Sequence, residues 1–523
     1  MEALVTWLFG VFLLLLAFSY IVLVFKARRL RSTLQSQGIS GPPPSSFLLG
    51  NIPQIHKIKL QMRSNMASAA AISHLPPHPL PLCHDWPSIL FPHFKQWQNQ
   101  YGSIFLYSTG NMQILCIMDP DMVKEIGLCT SLDLGKPSYL SKERGPLLGL
   151  GILSSSGPFW AFQRKTIAPE FYVDKVKGMV GLMVAATSTI LRSWYDKIDS
   201  SGGTANISVD EDLRSLSADI ISRAAFGSSY SQGKEIFLKL RALQKAMAES
   251  PFVGIPGSRF FPTRNNSQIR RLNKEINSMI LKLVKERTEA TQEQDFLQMI
   301  LEGAKIYGDH ANATLNIDHD RFIVDNCKNI YFAGHETTAV AAAWSLMLLA
   351  AYPDWQARAR DEVLEICRNG LLDADHLRNM KVLTLVIQET LRLYPPVMFV
   401  VRAALQDMKL KDVELPKGID IQIPISFLHH NKDLWGFDVH EFNPQRFASG
   451  IAGACKVPQA YMPFGLGPRV CLGQHFAFVE LKVILSRILS KFSFSLSHAY
   501  QHSPAFRLVI EPEHGVSLLI RSL

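Results

Sequence analysis

A single cysteine stands on a glycine-rich loop near the C-terminal end of the sequence. The stretch FGLGPRVCLG, residues 464–473, places Cys471 among three glycines, with Arg469 two residues before it. Glycine permits positive φ and a close approach of the backbone to a bulky ligand, and Pro468 stiffens the loop. The helical pattern QHFAFVELKV follows, and the positive end of a helix stabilises a thiolate. These features favour Cys471 as a metal ligand over a buried, unreactive thiol.

One cysteine is too few for zinc or an iron–sulfur cluster, because those sites usually take four ligands. It is enough for a heme iron, which needs a single protein thiolate. Arg469 is then placed to pair with an anionic heme propionate. The seven cysteines of the chain show no CxxC spacing, which argues against a disulfide framework and against a zinc site.

A second group of polar residues lies within an apolar segment that runs from about residue 322 to 351. This segment is too long and too hydrophobic for a surface helix, so we expect it to cross the core. Glu336 and Thr337 stand in its middle. A carboxylate and a hydroxyl side by side can relay protons to a reacting group. The alternative is a bend near Gly334 with a satisfied polar pocket, since threonine hydroxyls also bond the preceding turn of a helix.

The pattern FxxGxRxCxG, from Phe464 to Gly473, resembles the heme-binding signature of the cytochrome P-450 monooxygenases. The resemblance implies a cytochrome P-450 fold, heme b with Cys471 as the axial thiolate, and the hydroxylation of a C–H bond. It also implies that Glu336 and Thr337 are the family's acid–alcohol pair, which relays protons.

Two further motifs resemble parts of the same family. Glu389 and Arg392 match its ExxR motif, and Arg446 lies in FNPQRF, residues 442–447, which resembles the PERF-type motif. Residues three apart on a helix share a face, so Glu389 and Arg392 can pair, and Arg446 can join them. We interpret the three residues as a structural triad that supports the cysteine loop.

Three other residues are implied to bind the heme propionates. Trp160 and Arg164 are one helical turn apart, so they face the same side. The pair resembles the propionate-contacting helix of the family. Arg402, ten residues after Arg392, lies where the family often keeps another propionate partner.

The N-terminal segment predicts a single transmembrane helix. Residues 3–25 carry no charge, and at about 1.5 Å per residue they reach roughly 35 Å, enough to cross the hydrocarbon layer. A cleaved signal is disfavoured, because the basic run KARRLR follows the apolar one and no small-residue cleavage site comes after it. By the positive-inside rule, the basic run at 26–31 then places the chain that follows it in the cytosol. We expect an anchor over 1–25, a basic and proline-rich linker over 26–50, and a heme-thiolate monooxygenase domain over 51–523.

The rest of the chain is predicted to be mainly α-helical with small β-sheets. Apolar residues recur every three to four positions in several long segments, and alternating runs such as 102–109 and 112–118 predict strands. No GxGxxG or Walker loop is present, so a nucleotide-binding fold is unsupported. The net charge of +9 is spread over 523 residues without a basic run interleaved with aromatics. This argues against nucleic acid and suits membrane lipid or an acidic protein partner.

The electron supply must come from another protein, because the chain has no flavin or NADPH signature. The family resemblance implies NADPH-cytochrome P-450 reductase as the partner and the endoplasmic reticulum membrane as the location. By the same resemblance, segments 136–153, 252–261, 326–330 and 397–400 line the substrate pocket. Their apolar composition predicts a large hydrophobic substrate with few polar groups.

Five segments carry a closer resemblance, namely 91–110, 176–183, 209–231, 325–340 and 500–508. Through them most of residues 90–523 resemble a plant group that oxidises polycyclic terpenoids in specialised metabolism. Some members act on gibberellins and ent-kaurane acids, and others on pentacyclic triterpenoid acids such as oleanolic acid. We take a triterpenoid acid of the oleanolic type, oxidised at an A-ring methyl (C-23 oxidation), as the expected substrate. The alternative is a gibberellin or ent-kaurane diterpenoid oxidase that hydroxylates or epoxidises. A heme-thiolate isomerase and a non-catalytic membrane heme or sterol binder are further alternatives.

Overall fold

A computed structural model describes residues 2–20, 24–72, 82–227, 230–249, 254–255, 257–290, 296–310, 318–368, 370 and 372–523. Helices dominate these parts of the chain, and the strands form small sheets. The prediction of a mainly α-helical fold with small β-sheets is confirmed.

The helices follow one another in this order: α1 Glu2–Tyr20, α2 Lys26–Gln35, α3 Ile52–Ile72, α4 Trp86–Leu90, α5 Pro92–Tyr101, α6 Pro120–Leu128, α7 Ser138–Lys142, α8 Gly145–Leu148, α9 Gly157–Ile167, α10 Val173–Gly178, α11 Val180–Ser200, α12 Asp210–Phe226, α13 Tyr230–Ala248, α14 Arg264–Ala290, α15 Phe296–His310, α16 His319–Ala351, α17 Pro353–Ile366, α18 Ala374–Asn379, α19 Lys381–Leu393, α20 Ile425–His429, α21 Lys432–Trp435, α22 Gly450–Ala454 and α23 Gln474–Leu489. Short 3-10 turns lie at Ala168–Phe171, Ser258–Phe260, Pro444–Phe447, Pro458–Ala460 and Gly467–Arg469.

The strands are β1 Ile104–Thr109, β2 Met112–Ile117, β3 Leu134–Gly135, β4 Thr204–Ser208, β5 Phe399–Ala404, β6 Met408–Leu410, β7 Val413–Leu415, β8 Asp420–Pro424, β9 Phe492–Leu496, β10 Pro504–Phe506, β11 Ile510–Pro512 and β12 Ser517–Ser522. The largest sheet has the order β1-β2-β8-β5-β3, in which only β2 and β8 are parallel. A second sheet has the order β4-β12-β9, and the hairpins β6-β7 and β10-β11 complete the set in the described residues.

Helix α16 crosses the core, as predicted for the apolar segment from about 322 to 351. It is 33 residues long, is buried along most of its length, and packs against α12, α15 and α23. The helix ends at Ala351 because Tyr352 precedes Pro353, and the residue before a proline disfavours the α conformation. This placement brings the middle of α16 next to the helix that follows the cysteine loop.

Helix α1, Glu2–Tyr20, overlaps most of the predicted membrane span, residues 3–25, of which 21–23 are outside the described residues. Among the helices that are described, none is both long and apolar enough to cross a membrane. The transmembrane anchor therefore stays a prediction.

Candidate active site

The cysteine loop runs from the 3-10 turn at Gly467–Arg469 to the start of α23. The backbone amide of Cys471 donates to the carbonyl oxygen of Phe464 at 2.7 Å and closes the loop. Gly467 has φ +67°, and a Cβ there would lie 2.7 Å from the carbonyl oxygen of Gly127, so this turn requires glycine. The side chain of Cys471 opens onto a cavity of about 800 Å³ in the body of the protein.

The environment of the Cys471 thiol has opposing effects on its pKa. Burial in the body of the protein raises the pKa, whereas the Gly473 amide and the charge of Arg164 lower it. The net direction is upward, so the loop alone does not produce a thiolate. Coordination to a metal ion deprotonates such a thiol.

A fully buried ion pair lies behind the cysteine loop. Nε and Nη2 of Arg392 donate to the two carboxylate oxygens of Glu389 at 2.7 and 2.8 Å, and both side chains are 0% exposed. Nε of Arg446 lies 3.6 Å from Glu389, while its Nη atoms bind Asp438 at 2.9 and 2.7 Å. The structure thus brings the three residues of the predicted triad together.

Hydrogen bonds connect Arg392 to the cysteine loop through His429. Nη1 of Arg392 donates to the carbonyl oxygen of His429 at 3.0 Å. Nδ1 of His429 donates to the carbonyl oxygen of Arg392 at 3.1 Å, and its Nε2 accepts from the amide of Met462 at 3.0 Å. Burial, and next the charge of Arg392, lower the pKa of His429 to about 3, so the ring is neutral as these bonds require. Met462 leads directly to Phe464, where the loop is closed.

Cationic side chains line the cavity near Cys471. Arg469 lies with its guanidinium 4.0 Å from the ring centre of Trp160 and donates to the carbonyl oxygen of Ser155 at 3.0 Å. Arg164 donates to the carbonyl oxygen of Val470 at 2.7 Å. The structure therefore places Trp160, Arg164 and Arg469 in one group beside the cysteine.

Two more cations belong to this group. Arg402 donates to the carbonyl oxygen of Leu466 at 3.2 Å, and burial lowers its pKa to about 10. Burial, then the charges of Arg402 and Arg164, lower the pKa of Arg469 to about 9. Lys136 lines the same cavity, although the sequence analysis named it only as the start of a lining segment. Burial, and next the charges of Arg402 and Arg469, lower the pKa of Lys136 well below its usual range.

The arrangement fits a heme with two propionates. Lys136, Arg164, Arg402 and Arg469 line one cavity, and none of them has a carboxylate partner in the described parts of the chain. Buried cations of like sign repel one another and require anions. Two propionates beside a single thiol ligand supply that charge, and an indole next to them adds an N–H donor.

Helix α16 presents Thr337 and Glu336 to different surroundings, because successive residues of a helix point about 100° apart. Thr337 lines the cavity that Cys471 also lines, and its hydroxyl donates to the carbonyl oxygen of Ala333 at 2.7 Å. Glu336 is fully buried and is not among the described residues that line the cavity. The structure brings Thr337 and Cys471 together and places Glu336 elsewhere, so the relay through an acid–alcohol pair stays a prediction.

Glu336 belongs to a buried ion cluster that also contains Arg214, Arg241, Arg507 and Glu511. Nη1 of Arg241 and Nε of Arg214 lie 2.6 and 3.3 Å from Oε1 of Glu336. The same two arginines reach Oε2 of Glu511 at 2.5 and 2.9 Å, and Arg507 binds its other oxygen at 2.8 Å. The cluster ties α12 and α13 to α16 and β11.

The cluster fixes the charge of Glu336. Burial alone would raise the pKa of this carboxyl, but the imidazole of His335, whose Nε2 lies 3.4 Å from Oε2, and the charges of Arg214 and Arg241 outweigh it and lower the pKa to about 2. Glu336 is therefore ionised at neutral pH. Its contribution to stability is present above its ordinary pKa of 4.5 and is lost as the pH falls toward 2.

Glu480 of α23 is a second buried acid beside α16, and it has the opposite charge state. Neither carboxyl oxygen makes a hydrogen bond to a donor in the described residues. Burial raises its pKa to about 8, although the nearby hydroxyls of Ser217 and Thr338 favour the ionised form. Glu480 therefore keeps its proton at neutral pH, and it faces Thr338, which lines the cavity.

The loop that follows α8 forms a wall of the cavity and is attached to α16 by its backbone. Side-chain oxygens of Asp325, Asn326 and Asn329 accept from the amides of Leu150, Ile152 and Leu153 at 2.8, 3.1 and 2.9 Å. Gly149 packs against this helix so closely that a Cβ would lie 2.0 Å from Cγ of Asp325.

Three of the four segments that were predicted to line the substrate pocket contribute residues to the cavity in the described residues. Residues of 136–153, 326–330 and 397–400 line it. From the segment 252–261, Phe260 and Phe261 lie on the surface, and residues 252, 253 and 256 are outside the described residues.

The chain is similar to known proteins over most of its length. Residues 75–519 match the family profile described as Cytochrome P450. The protein named Cytochrome P450 714C2 from Oryza sativa subsp. japonica is 53% identical, over 98% of this chain and 96% of its own length. Cytochrome P450 714A2 from Arabidopsis thaliana is 46% identical, over 94% of this chain and 93% of its own. The names of these relatives state no substrate.

The ion cluster predicts strong coupling between Arg241 and Glu336. Arg241→Ala leaves two buried carboxylates short of a partner, and we expect it to lower the free energy of unfolding by about 3 kcal/mol. The double variant Arg241→Ala with Glu336→Gln should lose less free energy of unfolding than the sum of the two single variants, because the second change removes the carboxylate that the first leaves unpaired. Urea unfolding measures all three values. The control is Arg368→Ala, an exposed partner of Glu365, which should change stability by less than about 0.5 kcal/mol; equal effects of Arg241→Ala and Arg368→Ala would contradict the prediction.

The protonated state of Glu480 predicts a pH effect on stability. Between its ordinary pKa of 4.5 and the folded value of about 8, the native state holds a proton that the unfolded state lacks, so stability falls as the pH rises. Glu480→Gln removes this slope of about 1.4 kcal/mol per pH unit. Urea unfolding between pH 5 and pH 8 should therefore show that the free energy of unfolding of Glu480→Gln, relative to that of the parent protein, increases as the pH rises. For the exposed control Glu365→Gln, the difference from the parent protein should not change with pH. A difference between Glu480→Gln and the parent protein that does not change with pH would show that this carboxyl is ionised.

Proposed function

Because this chain belongs to the cytochrome P450 family, we propose that it is a membrane-anchored enzyme that hydroxylates a polycyclic terpenoid. As a member of that family it is a heme-thiolate monooxygenase. The observation that carries the terpenoid proposal is the cavity, in which Cys471 and Thr337 share one space with broad apolar walls.

We propose a pentacyclic triterpenoid acid of the oleanolic type as the substrate, oxidised at an A-ring methyl. Eight phenylalanines of the described residues line the cavity, and three of them, Phe91, Phe399 and Phe506, pack edge to face with ring centres 5.7 to 5.9 Å apart. Rigid aromatic walls with few polar groups suit a rigid, apolar ring skeleton. A gibberellin or ent-kaurane acid is the alternative substrate.

The roles of the individual residues follow from their positions. Cys471 is the proposed axial ligand, and Trp160, Arg164, Arg402, Arg469 and Lys136 are proposed to hold the propionates. Bound heme supplies the activation of dioxygen, and donation from the thiolate favours O–O cleavage. Glu389, Arg392 and Arg446 are proposed to keep the cysteine loop in place through His429.

Proton delivery is proposed to end at the hydroxyl of Thr337. This hydroxyl donates to Ala333, so its oxygen is free to accept a hydrogen bond from the cavity. Glu336 is held as a carboxylate by Arg214 and Arg241. A relay through Glu336 therefore requires this carboxylate to exchange an arginine for a proton donor first.

The chain is proposed to act on the endoplasmic reticulum membrane with NADPH-cytochrome P450 reductase as its electron donor. The uncharged run 3–25 and the basic residues that follow it support a single-pass anchor with the catalytic domain in the cytosol. The net charge of +9 supports an acidic docking partner.

The experiment is an assay of the full chain in microsomes with reductase and NADPH. The panel contains oleanolic acid, a gibberellin, ent-kaurenoic acid and a sterol, and products are identified by mass spectrometry and NMR. We expect a product with one added oxygen from the triterpenoid acid only when NADPH and reductase are present. Product from the diterpenoids alone would establish the alternative substrate, turnover without NADPH would indicate an isomerase, and binding without product would indicate a carrier.

The ligand assignment makes a separate prediction. Cys471→Ser should abolish the absorption band that the reduced protein forms with carbon monoxide, because that band requires an axial thiolate. The matched control is Cys455→Ser, at a buried cysteine that hydrogen-bonds to Val457 and is expected to keep the band. A normal band in Cys471→Ser would exclude this residue as the ligand.

A further inference from the structure

The cavity has a polar corner that the roles above leave unused. Lys59 of α3 and His93 of α5 line the same cavity as Cys471. Nζ of Lys59 lies 5.3 Å from the ring centre of Phe91, and no carboxylate among the described residues pairs with it. The corner therefore holds a cation beside an aromatic wall, without an anion of the protein to neutralise it.

The position of Lys59 differs from that of an ordinary surface lysine. A lysine that covers apolar surface usually keeps its ammonium in water. His56 and Lys57, on the same helix, are exposed. Lys59 is only partly exposed, and burial, and next the charge of Arg63, lower its pKa. Desolvation of an unpaired ammonium is unfavourable, so an anionic ligand at this corner would be bound strongly.

His93 supplies a second unsatisfied group at this corner. The side chain is 4% exposed, and its Nδ1 has no hydrogen-bond partner in the described residues. Burial, and next the charge of Lys59, lower the pKa of His93 to about 3, so the ring is neutral. A neutral imidazole can donate one hydrogen bond without adding a second charge.

Strand β5 indicates how far this corner lies from the cysteine loop. Phe399, at its start, contacts the ring of Phe91, next to Lys59. Arg402, three residues later, donates to the carbonyl oxygen of Leu466, the residue directly before the 3-10 turn of the cysteine loop. Three residues of a strand span roughly 10 Å, which is comparable to the length of a fused ring skeleton. The cation and the cysteine loop thus lie toward different ends of the cavity.

We propose that Lys59, with His93 beside it, binds the carboxylate of the substrate, so that the enzyme selects terpenoid acids over their neutral analogues. This inference rests on the proposed function, in which a terpenoid occupies the cavity. It also assigns an orientation: the carboxylate binds at the α3 corner, the apolar skeleton lies along the phenylalanines, and the C–H bond that reacts is at the end remote from the carboxylate.

The test compares binding of an acid with binding of its own methyl ester. Oleanolic acid and ent-kaurenoic acid, each with its methyl ester, are titrated into the purified full-length holoenzyme, and the shift of the heme absorption band gives Kd. We expect the parent protein to bind at least one acid about 10- to 100-fold more tightly than its ester, as for a hydrogen bond to a charged group. Lys59→Gln should reduce that ratio to near one by weakening the acid and leaving the ester unchanged. In turnover it should raise KM for the acid with little change in kcat.

The matched control is Lys57→Gln, two residues earlier on α3 and exposed, which should keep the ratio of the parent protein. The carbon monoxide band of each variant verifies an intact heme pocket. The proposal would be overturned if Lys59→Gln kept the ratio of ester Kd to acid Kd of the parent protein. It would also be overturned if the parent protein bound no acid more tightly than its ester. The monooxygenase function fails on a different result, namely that no compound of the panel is oxidised with NADPH and reductase.

Discussion

The guanidinium of Arg392 is the fixed point on which the geometry of the cysteine loop depends. A buried charge is tolerated only when it is paired and its donors are satisfied. Arg392 meets this condition with both oxygens of Glu389 and with carbonyl oxygens of His429, Val439 and Glu441. Since these carbonyls lie 37 to 49 residues after Arg392, one side chain attaches α19 to the backbone that leads to Cys471.

Helix α16 separates two kinds of chemistry that neighbouring residues carry. Thr337 faces the cavity, and Glu336 faces the arginines of α12 and α13. Glu480 approaches the same turn from α23, as a carboxyl that keeps its proton. Acids whose surroundings move their pKa values apart are suited to different tasks. The ionised acid joins helices, and the neutral one lies behind a hydroxyl that reaches the cavity.

Sequence reasoning located the residues whose geometry is set by short spacing. The pairing of Glu389 with Arg392, three residues apart, and the common face of Trp160 and Arg164 follow from the period of a helix. The core helix over 322–351 followed from its length and hydrophobicity.

The partners of Glu336 could not be inferred in this way. Arg241 and Glu511 are 270 residues apart in the chain, and only the tertiary fold brings them together. Lys136 and Lys59 likewise carry no local pattern that separates them from surface lysines.

The loop from Gly149 to Leu153 is attached to α16 through its main-chain amides, and this has a consequence for how the cavity can change. Side chains at 152 and 153 take no part in the attachment, so their size and shape can vary among relatives while the loop keeps its place. Gly149 and Gly151 are instead constrained by contact with the helix, because a Cβ there would lie 2.0 Å from Cγ of Asp325 and 2.6 Å from Oδ1 of Asn329, respectively. A family built on this plan can acquire new substrates by altering the surface of one wall, without redesigning the frame that carries it.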